Sequence, residues 1–400
     1  LKILVLNSGS SSLKCQLFAL DDGGGARVLA RAAVERVGTD AAPLRFDGRG
    51  AEPWREELPC RTHLDGIRRV LELLVDAEHG VLTSLAEIEA VGHRVVHAGE
   101  AFTGSVAVTD AVLEALEACS HLAPLHNPPG LAGIRACAAV LPGVPQVCVF
   151  DNALHHTLPP EVFLYGLPRR FYTEHGVRRY GFHGVAFRSI VENVEAQLGR
   201  PKEELRIVSL MLGSGTTANG LDHGRSVAIS TGFTPLEGLV QSTRCGDLDP
   251  GAVLALLRAG SSPRELSELF NRGSGLKGLS GISPDMRDIE AVDSDRARLT
   301  MDVFVHRCVK YVGAYSADMA GLDVLAFGGG IGQNAPEVRA AICAPLGHLG
   351  LRLDAARNAA CRGGPGGIVS AEDSRVAVVV ADVDEELVIA HDTRAVVLGS

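Results

Sequence analysis

Short apolar runs of strand length alternate along the chain with stretches whose apolar positions recur at helical spacing. Residues 1–6 are an apolar run. Over 13–19, Leu13, Cys15, Leu17 and Ala19 alternate with Lys14, Gln16 and Phe18, the period of a half-buried strand. Residues 30–37 predict a third strand. Helical spacing follows over 63–77 (Leu64, Ile67, Leu71, Leu74) and 110–120, where Thr109 stands in the cap position before Val112, Leu113 and Leu116. A strand at 90–96 lies between these helices; a helix at 129–140 and a strand at 146–150 complete a β-β-β-α-β-α-α-β half. The second half opens the same way, with a strand at 206–212, a glycine-rich turn at 213–220 and a strand at 226–230. Helices are predicted at 250–259, 263–271 and 296–321, a strand at 324–327 running into Gly328–Gly330, and a helix from about Pro336. A strand at 376–381 and a helix at 385–397 follow. Glycine clusters at 22–25 and 363–367 read as surface turns. Two halves that each open strand, glycine turn, strand point to a duplicated α/β architecture, with the default site in a cleft between them.

At 400 residues the chain is long enough for two domains. Its 46% apolar and 22% charged residues fit a globular protein with a large core and argue against disorder. Glycine is the departure: 46 residues, against ~7% in average composition. With no G-X-Y period, these glycines mark loops that approach a ligand closely. A net charge of −10 disfavours nucleic acid and anionic membrane as partners, but not an anionic small molecule in a locally basic site. No apolar run nears the ~20 residues of a membrane span, and residues 1–6 turn polar before forming a signal core. The nine cysteines form no C-x-x-C pair and read as reduced, buried thiols. A cytoplasmic location is expected.

The chemistry-bearing segments lie at the ends of the apolar runs. Asn7-Ser-Gly-Ser-Ser-Ser-Leu-Lys14 offers N–H groups and hydroxyls suited to phosphate, with Lys14 adding charge; the plainer reading is a hairpin turn. In Gly92-His-Arg-Val-Val-His-Ala-Gly99, Arg94 can present a bidentate fork to a carboxylate or phosphate, or belong to a surface ion pair. Asp151, after the strand ending at Phe150, is either catalytic or a cap. His183, in Tyr180-Gly-Phe-His-Gly184, either donates to developing charge or caps the helix that follows. Met211-Leu-Gly-Ser-Gly-Thr-Thr217 is the second-half counterpart of the first motif. Gly232-Phe-Thr-Pro-Leu-Glu-Gly-Leu239 leads to Arg244, delivered by a fixed loop or held in a structural one. Gly328-Gly-Gly-Ile-Gly-Gln-Asn334 follows a strand and suits a nucleotide packed on backbone. Asp384-Glu-Glu386 matches a helix dipole or a Mg²⁺ contact. Gly273-Ser-Gly-Leu-Lys-Gly278 fits G-x-G-x-x-G but follows a helix, so it is not read as a dinucleotide site. Together these segments point to phosphoryl transfer from a nucleotide.

The same segments, with A-P-L-H-N-P-P, T-R-C-G and D-E-E-L, resemble those of acetate kinases, in the same order and over essentially the whole chain. The resemblance implies two duplicated actin-like, ribonuclease H-like α/β domains around a nucleotide cleft, spanning 1–152 plus 386–400 and 153–385. It implies hinges near 151–155 and 383–387, and closure over the cleft to keep water away. It implies acetate or another short-chain carboxylate and ATP/ADP as substrates, Mg²⁺ (or Mn²⁺) as cofactor, and a homodimer formed through the second domain. By resemblance, Asn7 and Glu385 place the metal, and Lys14, with Ser10 and Ser12, contacts phosphate. Arg94 binds the carboxylate or phosphoryl group, and Asp151, His183 and Arg244 serve the transfer. Met211, Leu212, Gly213, Ser214 and Gly215 line the nucleotide site, as do Asp285, Met286, Arg287, Gly330, Ile331, Gly332, Gln333 and Asn334. Val96, Leu125, Phe182 and Pro235 form the apolar pocket for the acetate methyl. The sequence departs from the family pattern at Met211 and Ser214, where H-L-G-N-G is usual, and at Gln333 and Ala98. Three of these four lie on the nucleotide side, so the acyl side is expected to stay closer to the family norm.

Overall fold

The computed structural model describes every residue except Ser10, Asp22, Ala51, Leu125 and Ser400. It divides into two compact units, Leu1–Leu154 with Asp384–Ser400, and His155–Val383. The resemblance implies these limits at 152/153 and 385/386. Asp384 goes with the first unit because it caps the last helix, its Oδ1 accepting the Leu387 N–H at 2.9 Å.

The first unit holds strands β1 (Lys2–Ser8), β2 (Ser12–Leu20), β3 (Ala26–Glu35), β4 (Thr39–Asp47), β5 (Trp54–Cys60), β6 (Ala90–Val95), β7 (Val106–Ala107) and β8 (Gln146–Phe150). They form one sheet in the order β5-β4-β3-β2-β1-β6-β8-β7. The hairpins β1–β2 and β2–β3 are antiparallel, whereas β1–β6 and β6–β8 are parallel. Leu4, Leu6, Leu13, Leu17 and Val34 pack with Ile67, Val70 and Leu71 of the helix His63–Leu74, forming a core on one face. The helix Glu385–Leu398 lies against β1, β6 and β8.

The second unit holds β9 (Arg206–Leu212), β10 (Thr216–Asp222), β11 (Arg225–Ile229), β12 (Val324–Gly328), β13 (Gly366–Ile368) and β14 (Ala377–Ala381), in the order β11-β10-β9-β12-β14-β13. Here too the two hairpins are antiparallel and the next two pairings parallel, with a short antiparallel strand at the edge. Each unit therefore carries the actin-like, ribonuclease H-like α/β order, and the duplication expected from sequence is visible as strand topology. The helix Asp295–Asp318 packs Phe304, Cys308, Val312 and Tyr315 into this unit's core. All nine thiols are free and six are buried.

Several elements differ from the pattern reading. β4 and β5 were not predicted. Their inward positions Ala42, Leu44 and Phe46 are buried, but Pro43, Arg45 and the charged β5 dilute the alternation. Residues 216–220, read as part of a turn, belong to β10 (Thr216–Asp222). This strand is buried almost throughout, although threonine, asparagine and glycine give it little apolar signal. The cluster at 363–367 is not only a surface turn, because Gly366 pairs with Ala381 across β13–β14. A Cβ at Gly366 would lie 2.0 Å from the Val380 carbonyl oxygen. Residues 275–280 form a short helix where none was expected.

One glycine fixes the seat of the C-terminal helix. A Cβ at Gly92 of β6 would come within 2.3 Å of Thr393 Oγ1 and 2.7 Å of Ile389 Cγ2. Thr393 is itself held, its hydroxyl donating to the Ile389 carbonyl at 2.7 Å. Gly92→Ala is expected to lower the unfolding free energy by about 1–3 kcal/mol. Urea unfolding checks this; unchanged stability would mean that the helix shifts freely.

Candidate functional site

In the first unit the candidate residues gather at the carboxyl ends of the central parallel strands. Arg94 lies one residue before the end of β6, and Asp151 directly follows β8, its N–H donating to the Val95 carbonyl at 3.0 Å. Arg94 Nε and Nη2 donate to Asp151 Oδ1 and Oδ2 at 3.2 and 2.7 Å, and Glu385 Oε2 lies 3.4 Å from Arg94 Nε. The Arg94 side chain is 18% exposed and that of Asp151 2%, so the surface-pair reading of Arg94 does not hold. Burial works against the Arg94 charge, but the Asp151 and Glu385 carboxylates more than offset it and hold the guanidinium above its ordinary value. The carboxylate fork serves to orient the arginine.

The Asn7–Lys14 motif is a tighter hairpin than its six small residues suggested. β1 runs to Ser8 and β2 starts at Ser12; Asn7 pairs with Lys14 and Ser8 with Leu13. The Gly9 N–H donates to the Ser12 carbonyl at 2.8 Å, and His63 Nε2 lies 2.8 Å from the Gly9 carbonyl oxygen. Lys14 is exposed on β2, Ser12 is half-buried at its start, and Ser10 lies outside the described residues. Val96 is half-buried beyond β6, and Leu125 is also outside the described residues.

In the second unit His183 occupies the cap position of the helix Gly184–Leu198 in left-handed backbone, φ 62°, but its side chain makes no cap bond. Its Nδ1 lies 2.9 Å from Thr217 Oγ1 on β10. A Cβ at Gly215 would approach the His183 ring to 2.8 Å, so glycine there lets the turn after β9 lie against the imidazole. Phe182 is buried, its N–H donating to Thr231 Oγ1 at 3.0 Å. Arg244 Nη1 donates to Gln241 Oε1 at 3.2 Å, and among the described residues no carboxylate lies within ion-pair distance of it. Burial therefore pushes this guanidinium below its ordinary value.

The loop from Gly232 to Leu239 is pinned from within. Arg179 donates from Nη1 to the carbonyls of Ile229, Ser230 and Thr231 at 3.0–3.2 Å and from Nη2 to Glu237, whose other oxygen accepts from the Tyr165 hydroxyl. Tyr165 in turn accepts the Phe233 N–H at 2.8 Å. A Cβ at Gly232 would stand 1.7 Å from Glu237 Oε2. Gly232→Ala is expected to displace this loop, with Pro235 on it. If this loop shapes the acyl pocket that the resemblance implies, the KM for a short-chain carboxylate should rise about tenfold or more; a wild-type KM would show that it does not.

The residues expected on the nucleotide side are of two kinds. Leu212 and Met286 are buried as whole residues. Ser214 and Gly330 are exposed, and Gly213, Gly215, Ile331 and Gln333 half-buried. Met211 lies over the turn after β12: a Cβ at Gly329 would be 3.1 Å from its sulfur. Gln333 Nε2 donates to Asp382 Oδ1 at 2.9 Å, and Asn334 Nδ2 to the Gly330 carbonyl at 2.9 Å. Asp285 caps the helix Met286–Glu290 and accepts from Arg287 Nε at 3.0 Å, which holds its carboxyl down at about 2. Arg287 is otherwise solvent-exposed.

The model of the acetokinase family matches residues 2–391. The chain belongs to that family. It is 48% identical over 405 residues to the acetate kinase of Coprothermobacter proteolyticus, covering all of both chains. It is 44% identical over 401 residues to that of Halothermothrix orenii, covering 99% of this chain and 100% of that one. Among solved structures, Porphyromonas gingivalis acetate kinase superposes with a TM-score of 0.94 at 40% identity, covering 99% of each chain. A propionate kinase from Francisella tularensis gives 0.90 at 33%, covering 98% of this chain and 99% of that one.

Three supports of these acetokinase-family motifs escaped the sequence reading. Asn152 accepts the Ala98 N–H at 3.1 Å and donates to the Gly99 carbonyl at 2.9 Å, fixing the chain beyond Val96. Arg339, fully buried, gives all five N–H groups to oxygens of Gly332, Gln333, Asn358 and Cys361 at 2.7–3.0 Å, clamping the end of the glycine-rich segment. Gln241 is buried beside Arg244. Asn152 adjoins Asp151 in its motif and was within reach of that reading. Arg339 and Gln241 lie in ordinary helical and loop sequence and carry no such mark.

Proposed function

We propose that this chain is an acetate kinase, transferring the terminal phosphoryl group of ATP to acetate, reversibly, in one direct in-line step that gives acetyl phosphate and ADP. The observation that carries the reading is Arg244, a half-buried guanidinium whose charge no described carboxylate neutralises. Such a group is available to an anion whose charge spreads during transfer. Acetate is already ionised near neutral pH and needs no strong base. It needs to be held in line while like charges approach. Arg94, fixed by Asp151, holds the carboxylate or the phosphoryl group, and His183 and Arg244 stabilise the transferring charge. Lys14 and the turns at 213–215 and 330–334 take the nucleotide phosphates. Val96, Leu125, Phe182 and Pro235 receive the methyl group.

Asn7 and Glu385 offer the hard oxygen donors that suit Mg²⁺ or Mn²⁺, which keeps water and substrate phosphates as its other ligands. When bound, the cation supplies neutralisation of phosphate charge. Among the described residues no helix is long and apolar enough to cross a membrane. Leu254, Leu257 and Leu269 are exposed on the helices Pro250–Arg258 and Pro263–Arg272 and support a homodimer formed through the second unit.

A hydroxamate assay with acetate, propionate and butyrate, with and without Mg-ATP, tests the reading. Acetate should give the highest kcat/KM. The margin over propionate is modest, since one methylene in an apolar pocket is worth about 1–3 kcal/mol. A higher kcat/KM for propionate would make the chain a propionate kinase. No acyl phosphate from any acid would leave a nucleotide-binding protein without this catalysis.

A further inference from the structure

Gln241 is 1% exposed and sits where three parts of the second unit meet. Its Oε1 accepts from Arg244 Nη1 at 3.2 Å, and its Nε2 donates to the Pro235 carbonyl at 2.7 Å. These two bonds fix the amide's orientation, because guanidinium can only donate and a carbonyl only accept. A Cβ on Gly215 would stand 3.8 Å from the same Oε1 and 2.8 Å from the His183 ring, so the amide also borders the turn that backs the imidazole. Its own backbone is held, N–H to the Arg244 carbonyl at 3.2 Å and carbonyl to the Leu276 N–H at 2.9 Å. Gly275, at φ 63°, lets the chain pass there, as a Cβ would come 2.1 Å from the Gln241 carbonyl oxygen.

We infer that Gln241 is a positioning residue that ties the guanidinium serving transfer to the wall of the acyl pocket, and that it is an amide because a carboxylate would cancel the Arg244 charge. The inference rests on the phosphoryl-transfer reading above. A neutral acceptor aims the guanidinium and leaves its charge for the phosphoryl group. The same amide fixes the carbonyl of Pro235, so the pocket and the arginine cannot drift independently. Gln241 touches no reacting atom and acts through Arg244 and Pro235.

Two variants and a pH series test this. Gln241→Met keeps the volume and removes both bonds. It should lower kcat about 10-fold and raise the KM for acetate several-fold, as small misplacements do, with the KM for ATP little changed. Gln241→Glu keeps the shape and adds a carboxyl facing Arg244, with the His183 ring across the Gly215 backbone and Lys277 turned away towards the Arg272 carbonyl. It should lose about 100-fold at neutral pH and regain activity as pH falls and the introduced carboxyl protonates to an isostere of the amide. Wild type and Gln241→Met should lack that acid-side recovery. In an Arg244→Ala background, Gln241→Met should have no further effect on kcat. Thermal melting of each variant separates lost folding from lost positioning. An active wild type whose Gln241→Glu variant keeps the wild-type pH profile and kcat, or whose double variant loses activity additively, overturns the assignment of Gln241 alone. A wild type that forms no acyl phosphate overturns both it and the functional reading.

Discussion

Arg244→Ala is expected to lower kcat for acetyl phosphate formation by about 10³–10⁵, the range seen when an arginine that meets transferring phosphoryl charge is removed. The loss should fall on kcat, with the KM for acetate and ATP changed far less, because the interaction is made mainly as charge spreads in the transition state. Stability should hold or rise slightly. Arg244 has a neutral amide at 3.2 Å and no described carboxylate partner, so its charge is a cost in the resting protein. Steady-state kinetics paired with thermal melting makes the test. A kcat within tenfold of wild type would remove Arg244 from the transfer step. A large drop in melting temperature would give it a structural role instead.

Asp151→Asn should produce the second largest effect, with the opposite signature. Asp151 and Arg94 form a buried, bidentate pair, and an asparagine side chain is not an equivalent partner: one accepting oxygen and the charge are both lost. Breaking a buried pair from one side costs about 3–5 kcal/mol, less where the amide keeps one bond. Arg94 would keep Glu385 at 3.4 Å and turn towards it. We expect kcat to fall about 100-fold, with lower stability and an altered Mg²⁺ dependence as Glu385 is drawn into the pair. Near-normal kcat with unchanged Mg²⁺ dependence would make both an orienting and a metal-side role for Asp151 untenable. The two arginines thus differ in kind. One is oriented by carboxylates that hold its charge firmly; the other is left bare.

Much of the site was legible because glycine and charged residues at strand ends have few structural uses. Arg94, Asp151 and Glu385 were each picked out from such positions, and the structure brings them together within one unit. At Asn7–Lys14 strand pairing takes up Asn7, Ser8, Leu13 and Lys14, which the small residues alone do not reveal. β10 was missed because Thr216, Thr217 and Asn219 are buried through hydrogen bonds to neighbouring strands and side chains, which a hydrophobic pattern does not register.

By itself the sequence determined the strand–turn–strand opening of the first half, the phases of the main helices and the family, because these depend on local periodicity and on motifs of neighbouring residues. Whether a charge would be neutralised or bare was decided only by the tertiary structure. Arg94 and Arg244 look alike in sequence. One lies beside the carboxylate that follows the adjacent parallel strand, 57 positions away. The other is met by an amide three residues back. That difference comes from strand order and loop packing, which bring distant groups within hydrogen-bond reach and exclude the water that would otherwise make the two arginines equivalent.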